Sequence, residues 1–311
     1  MMATVPVFFA PMQGFTDLAY RTAHAELMGG VERYCAPFLR LEHGEVRRRD
    51  IRDIEHDADK ALTPQVIADG VEEFERLTAM VVDMGFKEVD LNLGCPFPMQ
   101  TRHGRGAALM QHPDRLREIF HAMRRMHEEQ GIRFSVKMRL GQEAADEWKA
   151  LMPMLNEAPL NYVAMHPRIG IQQYKGEVDM AMFRQFYEAC EKPVVYSGDL
   201  TTVEQMTQMA GDFPRLKALM VGRGLLMRPT LAREYADGKM KGDDEVRALI
   251  LQLHRRVLSH YEQTLEGGEA QILQKILPFW EYPQELFDRK FIKRLKKARS
   301  LSDYRVALTQ R

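Results

Sequence analysis

Along the first 230 residues, short apolar runs of strand length alternate with longer stretches in which apolar residues return at the helical period. The runs are VPVFFA (5–10), RYCAPF (33–38), TPQVIA (63–68), EVDLNL (88–93), RFSVKM (133–138), NYVAMH (161–166), PVVYS (193–197) and ALMV (218–221). Amphipathic segments such as VEEFERLTAMVVDMG and TVEQMTQMAG lie between them, and in the second Val203, Met206 and Met209 fall on one helical face. Strand–helix alternation predicts a parallel sheet covered by helices, because each crossover helix must bury its apolar stripe. Eight such units in about 235 residues fit a closed (β/α)8 TIM barrel better than an open sheet.

The alternation stops after Pro229. LAREYADGKMKGDD (231–244) reads as a linker or a helix end. From Glu245 onward the period is helical with no strand, and Ala270 to Gln310 predicts two or three further helices. The expected organisation is therefore an α/β barrel over residues 1–240 and a C-terminal all-helical domain over 241–311.

Composition narrows the setting. Hydrophobic residues make up 45% and charged residues 28% of 311, enough to bury a large core. No run of about 18 apolar residues occurs, so no membrane partner is expected. MMATVPVFFAPMQG lacks a basic n-region and reads as a first strand rather than a signal peptide. Cys35, Cys95 and Cys190 are too few and scattered for a disulfide framework or a zinc site. A cytoplasmic, metal-free monomer is expected. The 44 basic residues balance the 44 acidic ones, which argues against a polyanionic partner. Divided at residue 240, however, the first part carries 30 basic against 34 acidic residues and the rest 14 against 10. Seven of the eleven residues from Arg289 to Arg299 are basic.

Functional groups of a barrel gather at the C-terminal strand ends, so unusual residues there carry weight. Strand 1 ends in Pro11-Met12-Gln13-Gly14, with Thr16 or Asp17 as a helix N-cap, and strand 3 carries Gln65. Strand 4 ends in Asn92-Leu93-Gly94-Cys95-Pro96, strand 5 in Lys137-Met138-Arg139 and strand 6 in His166-Pro167-Arg168. Strand 7 ends in Ser197-Gly198-Asp199 and strand 8 in Gly222-Arg223-Gly224. A lone histidine or lysine of this kind is ordinarily structural. Five strands contributing Gln65, Asn92, Lys137, His166 and Arg223 to one mouth is different, since burying that many polar groups without a ligand is costly. The glycines after strands 7 and 8 sit where barrels hold a phosphate, and Arg223 can add a charge-assisted contact. Cys95 is the candidate for chemistry, as a proton donor or as a nucleophile served by His103 or His166. Cys35 and Cys190 read as apolar filler.

APMQGFTDLAYR, VDLNLGCPFP, GRGAALM, VKMRLG, MHPR…QQYKG, PVVYSGDL and ALMVGRGLLMRP resemble, in order and spacing, the motifs of the tRNA-dihydrouridine synthases over roughly residues 5–230. The resemblance implies an FMN-dependent TIM barrel followed by a helical tRNA-binding domain, with NADPH as reductant. Pro11, Met12 and Gln13 would back the flavin ring. Gln65, Asn92 and Lys137 would bond its polar edge, and His166 would lie near the ribityl–phosphate region. Ser197, Gly198, Asp199, Gly222 and Arg223 would hold the phosphate end. Hydride from the flavin would reach carbon 6 of a uracil ring and Cys95 would protonate carbon 5, with Lys137 or Arg139 stabilising negative charge. Arg139, Arg168 and Tyr174 would face RNA. Two positions depart from the family pattern. Ser197 stands where an Asn is usual, and His-Pro-Arg-Ile replaces His-Gly-Arg-Thr, so that Pro167 stiffens the strand-6 loop.

At helical spacing Phe291, Ile292 and Leu295 would turn inward, leaving Lys290, Lys293, Arg294 and Lys297, with Lys296, as a basic stripe suited to a phosphate backbone. Arg47-Arg48-Arg49 and Arg102-His103…Arg105 would extend it to the barrel rim. Three other readings stand beside this one: an FMN barrel reducing a small pyrimidine-like molecule, a flavin-free RNA-binding barrel, and a cysteine hydrolase.

Overall fold

The computed structural model describes residues 4–55 and 61–309. They form two compact units. One holds the chain to Pro11, Glu32–Asp199 and Met209–Val221; the other holds Met12–Val31, Leu200–Gln208 and the chain from Gly222.

The first unit contains a ring of parallel strands, and each of the eight predicted runs supplies one. They are β1 (Val7–Phe9), β2 (Arg33–Cys35), β3 (Leu62–Thr63 and Gln65–Val66), β4 (Glu88–Leu93), β5 (Arg133–Gly141), β6 (Leu160–Ile169), β7 (Val194–Tyr196) and β8 (Leu216–Val221). β1 lies between β2 and β8, and the order continues through β7, β6 and β5 to β4. β3 closes the ring in two pieces. Leu62–Thr63 pairs with β2 and Gln65–Val66 with β4. Pro64 between them has no N–H to give a ladder, but its carbonyl still accepts the Asp90 N–H at 2.9 Å.

β6 runs three residues past His166, so the loop expected at Pro167 is strand. Arg139 faces His166 while Gly141 faces Ile169, which leaves one extra residue on β6. A bulge of this kind exempts a proline from donating to the ladder.

Successive strand residues face opposite sides of a sheet. Phe8 and Ala10, Tyr162 and Ala164, and Ala218 and Met220 accordingly pack as buried pairs in one core cluster with Cys35 and Val195. The same alternation carries polar residues inward nearer the strand ends: Asp90 and Asn92 on β4, Ser135, Lys137 and Arg139 on β5, His166 and Arg168 on β6.

The second unit is helical. Its helices include Leu18–Leu27, Leu231–Asp237, Asp243–Thr264, Gly268–Ile276, Arg289–Lys297 and Leu301–Thr309. Asp17, not Thr16, caps the first, accepting the Tyr20 N–H at 3.1 Å. The segment read as a linker holds the helix Leu231–Asp237, pinned by the buried Glu234, which accepts from Arg228 Nε and Thr230 Oγ1 at 2.8 Å each. His254, Trp280 and Tyr304 form a buried centre: Trp280 Nε1 donates to Tyr304 Oη, and that hydroxyl lies 2.6 Å from His254 Nε2. Among the described residues no helix is long and apolar enough to cross a membrane.

Candidate active site at the barrel mouth

Strand register sets the site. Gln65 lies beside Asp90, Asp90 beside Ser135, and one layer higher Asn92 lies beside Lys137. These neighbours form a continuous chain of hydrogen bonds. Ser135 Oγ and Gln65 Nε2 donate to the two oxygens of Asp90, each at 2.6 Å. Asn92 Nδ2 donates to Gln65 Oε1 at 2.7 Å, and Asn92 Oδ1 accepts the N–H groups of Gly94 (3.0 Å) and Cys95 (2.8 Å). The carboxylate thus dictates which way both amides point, and through them the backbone at Cys95. Burial pushes Asp90 up to about 6 despite the bonds from Gln65 and Ser135. Gln65 has no accessible surface. Expected at the polar edge of a flavin, it makes two bonds inside this chain.

Cys95 is buried against Phe38 and Ile67. Burial raises its thiol pKa, only partly offset by the Phe97 N–H and by the positive charges of Arg139 and Lys137. A thiol held protonated suits proton donation better than nucleophilic attack, which needs a thiolate. A second strap holds the same residue. Ala107 N–H donates to the Cys95 carbonyl at 3.1 Å. Gly106 has φ +64°, and a Cβ there would stand 2.6 Å from the Cys95 carbonyl oxygen, so only glycine fits. Arg105 anchors this strap through a two-pronged contact with Glu73, at 2.9 and 2.6 Å.

Arg139 is buried and bonded mainly to backbone, with a further side-chain bond to Tyr174. It donates to the carbonyls of Gly94 (2.9 Å), Ile169 (3.0 Å) and Gln173 (2.7 Å), clamping the loops after β4 and β6 together. Its guanidinium carbon lies 5.4 Å from the centre of the exposed Tyr174 ring. Burial lowers its pKa to about 10. Arg168, expected to face RNA, is 2% exposed and pairs both nitrogens with the Asp199 carboxylate while donating to Gly176 O. The extension of β6 turns this side chain inward. Asp199, the partner in this ion pair, is one of the residues expected at the phosphate end. His166 Nδ1 bonds the Ser197 carbonyl, an acceptor, so Nδ1 carries the proton and Nε2 is an acceptor, 3.4 Å from Arg168 Nη1. Burial, with Arg139 and Lys137 nearby, drives its pKa well down and keeps the ring neutral.

Arg168 Nε is a buried donor without a partner, and Lys137 carries a charge that no acceptor of this set meets. Its half-buried ammonium makes no hydrogen bond or ion pair to a described residue, and burial with the repulsion of Arg139 lowers it to about 8. A half-buried ammonium without an acceptor fits the acceptor-rich edge of a flavin. No cluster of metal-ligating side chains occurs among the described residues.

A family model described as dihydrouridine synthase matches residues 8–298. The chain belongs to the dihydrouridine synthase family. Relatives include the tRNA-dihydrouridine(16) synthase of Pseudomonas syringae pv. tomato, 27% identical over 77% of this chain and 77% of its own. A probable tRNA-dihydrouridine synthase of Rhodobacter capsulatus is 28% identical over 84% of this chain and 82% of its own. Among solved structures, morphinone reductase superposes with a TM-score of 0.53 at 10% identity, covering 76% of this chain and 86% of that one. A variant of NCR from Zymomonas mobilis gives 0.51 at 15%, covering 78% and 90%. These two likenesses establish the barrel fold.

For a dihydrouridine synthase chain, the remaining expected residues lie as follows. Met12 and Gln13 form a tight turn in which Met12 O accepts the N–H groups of Phe15 (2.9 Å) and Thr16 (3.0 Å). Gly222 caps the short helix Arg223–Met227 directly after β8. Ser197 and Gly198 are buried after β7. On the helix Arg289–Lys297, Phe291, Ile292 and Leu295 are buried and Lys290, Lys293, Lys296 and Lys297 exposed, whereas Arg294 is half-buried. On the rim, Arg47 pairs with Glu42 and Arg105 with Glu73, while Arg48, Arg102 and His103 are exposed. The sequence reading did not single out Asp90, Ser135, Glu73 or Gly106. Asp90 carried a signal, because a carboxylate two residues before Asn92 shares its inward face.

Proposed function

We propose that this chain is a tRNA-dihydrouridine synthase that reduces the 5,6 double bond of specific uridines, with FMN at the barrel mouth and NADPH as reductant. The observation that carries the reading is the Cys95 thiol, kept protonated and held by Asn92, in the field of the Lys137 ammonium. Lys137 would bond the polar edge of FMN and Asn92 would lie beside it. His166 Nε2 would accept from a ribityl hydroxyl. Pro11, Met12 and Gln13 would back the ring, and Ser197, Gly198, Gly222 and Arg223 would hold the phosphate, as the family resemblance implies. Bound there and reduced by NADPH, FMN supplies a hydride to carbon 6 of the uracil ring.

Cys95 then has one task. It gives its proton to carbon 5 and recovers one from solvent, so that hydride and proton together saturate the double bond. The charges of Lys137 and Arg139 stabilise the enolate that develops on the ring and lower the cost of the thiolate left behind. Residues 241–311 would bind tRNA through Lys290, Lys293 and Lys297, and the protein would act as a cytoplasmic monomer. The reading is tested by incubating the FMN-loaded protein with NADPH and tRNA that lacks dihydrouridine. A mass gain of two hydrogens on a tRNA uridine is expected. A yellow protein that oxidises NADPH without changing the tRNA would overturn it.

A further inference from the structure

Six large apolar side chains are well exposed among the described residues, and four of them belong to the two loops beside Cys95. They are Phe97 and Met99 after β4, and Ile171 and Tyr174 after β6. Their arrangement is fixed by contacts already described. The Phe97 N–H points at the Cys95 sulfur. On the other side, Arg139 holds the Gly94 carbonyl and lies against the Tyr174 ring. One exposed ring therefore follows the thiol by two residues, and another covers the arginine that fixes the residue before it. On the β4 side the charge is of one sign. No acidic residue occurs from Leu91 to Pro113, and Arg102 and His103 in that segment are exposed.

A uridine that enters a barrel mouth must leave its stack, and its two neighbours each lose a stacking partner. Exposed flat rings beside the entry replace that loss, as proteins binding unpaired RNA commonly do. We infer that Phe97 and Tyr174 form a platform on which the unpaired bases flanking the target uridine stack. This rests on the tRNA reading above and assigns the partner's contact: base faces at the mouth, with nearby phosphates met by Arg102 and His103.

The alternative occupant is another apolar protein surface, which any large aliphatic side chain would serve as well as a ring. The test compares full-length, FMN-loaded wild type with Phe97→Leu, Phe97→Trp and Tyr174→Leu, measuring tRNA affinity at several salt concentrations and dihydrouridine formed per turnover. Phe97→Leu and Tyr174→Leu should each weaken tRNA binding about tenfold. Phe97→Trp should bind as wild type, and the salt dependence should be unchanged, because no phosphate contact is lost. Wild-type binding by both leucine variants would overturn the inference, as would a self-association of wild type that Phe97→Leu abolishes. A wild type that forms no dihydrouridine would instead overturn the tRNA reading itself.

Discussion

Asn92 accepts the Cys95 N–H at 2.8 Å, and its own amide is held in that orientation by Gln65 at 2.7 Å. The proton donor of the proposed reaction is therefore positioned by a buried polar chain that begins at Asp90. Such a chain stabilises only when every member is satisfied.

Breaking it in the middle should be severe. Asn92→Leu leaves Gln65 Oε1 and the Gly94 and Cys95 N–H groups without partners, and each buried orphan costs about 1–3 kcal/mol. Urea denaturation should show a loss of at least about 3 kcal/mol, and dihydrouridine formation should fall more than tRNA affinity. Asp90→Asn should be far milder than Asp90→Leu. An asparagine can keep its oxygen toward Gln65 and turn its nitrogen to the Ser135 hydroxyl. Equal losses for both substitutions would contradict the relay.

Lys137 gives the apoprotein an alkaline signature. Its folded pKa is about 8 against an ordinary 10.5, so between those values the unfolded chain binds more protons than the folded one. Stability should rise with pH through that window. Urea midpoints at pH 7.5, 9 and 10.5 should therefore rise for wild type relative to Lys137→Met, because the buried thiols that destabilise the fold at alkaline pH are common to both.

The helical unit should be acid-sensitive through two buried neutral imidazoles. Burial lowers His24 to about 4 and His254 to about 3. Between the ordinary 6.5 and those values the unfolded chain takes up protons that the folded one refuses, so stability is present above about pH 6.5 and is lost as pH falls. Each histidine contributes up to about 1.4 kcal/mol per pH unit. His24→Gln can still donate to the Pro229 carbonyl, and His254→Gln can still accept from Tyr304. Each should flatten the slope measured by thermal unfolding between pH 6.5 and 4.

The basic helix should act through charge alone. Lys290→Glu and Lys293→Glu should weaken binding of all tRNAs and each reduce the slope of log affinity against log salt by about one. The same substitutions should leave the dihydrouridine yield at saturating tRNA near wild type.

The strands could be read from the sequence because a parallel barrel buries both faces and writes itself as continuous apolar runs. The inward polar residues could be found because barrel geometry brings strand ends together. What each polar group bonds to could not. Arg168 and Asp199 are 31 residues apart, and their pairing depends on the bulge that carries β6 past Pro167. Arg139 reads as a free charge until its three carbonyl acceptors are known. Asp90, between Val89 and Leu91, carried no assigned role, although its alternation with Asn92 placed it on the same face. Tertiary partners decide whether an arginine at a strand end is a ligand or a clamp, and one chain of letters does not record them.

Cys95→Ala removes the proton donor alone, with bound FMN measured by absorbance and dihydrouridine per tRNA by mass spectrometry. FMN content should stay at the wild-type level and dihydrouridine formation should slow by at least about a hundredfold, the range of a lost general acid. Dihydrouridine formed at the wild-type rate would contradict the proton-donor role of Cys95.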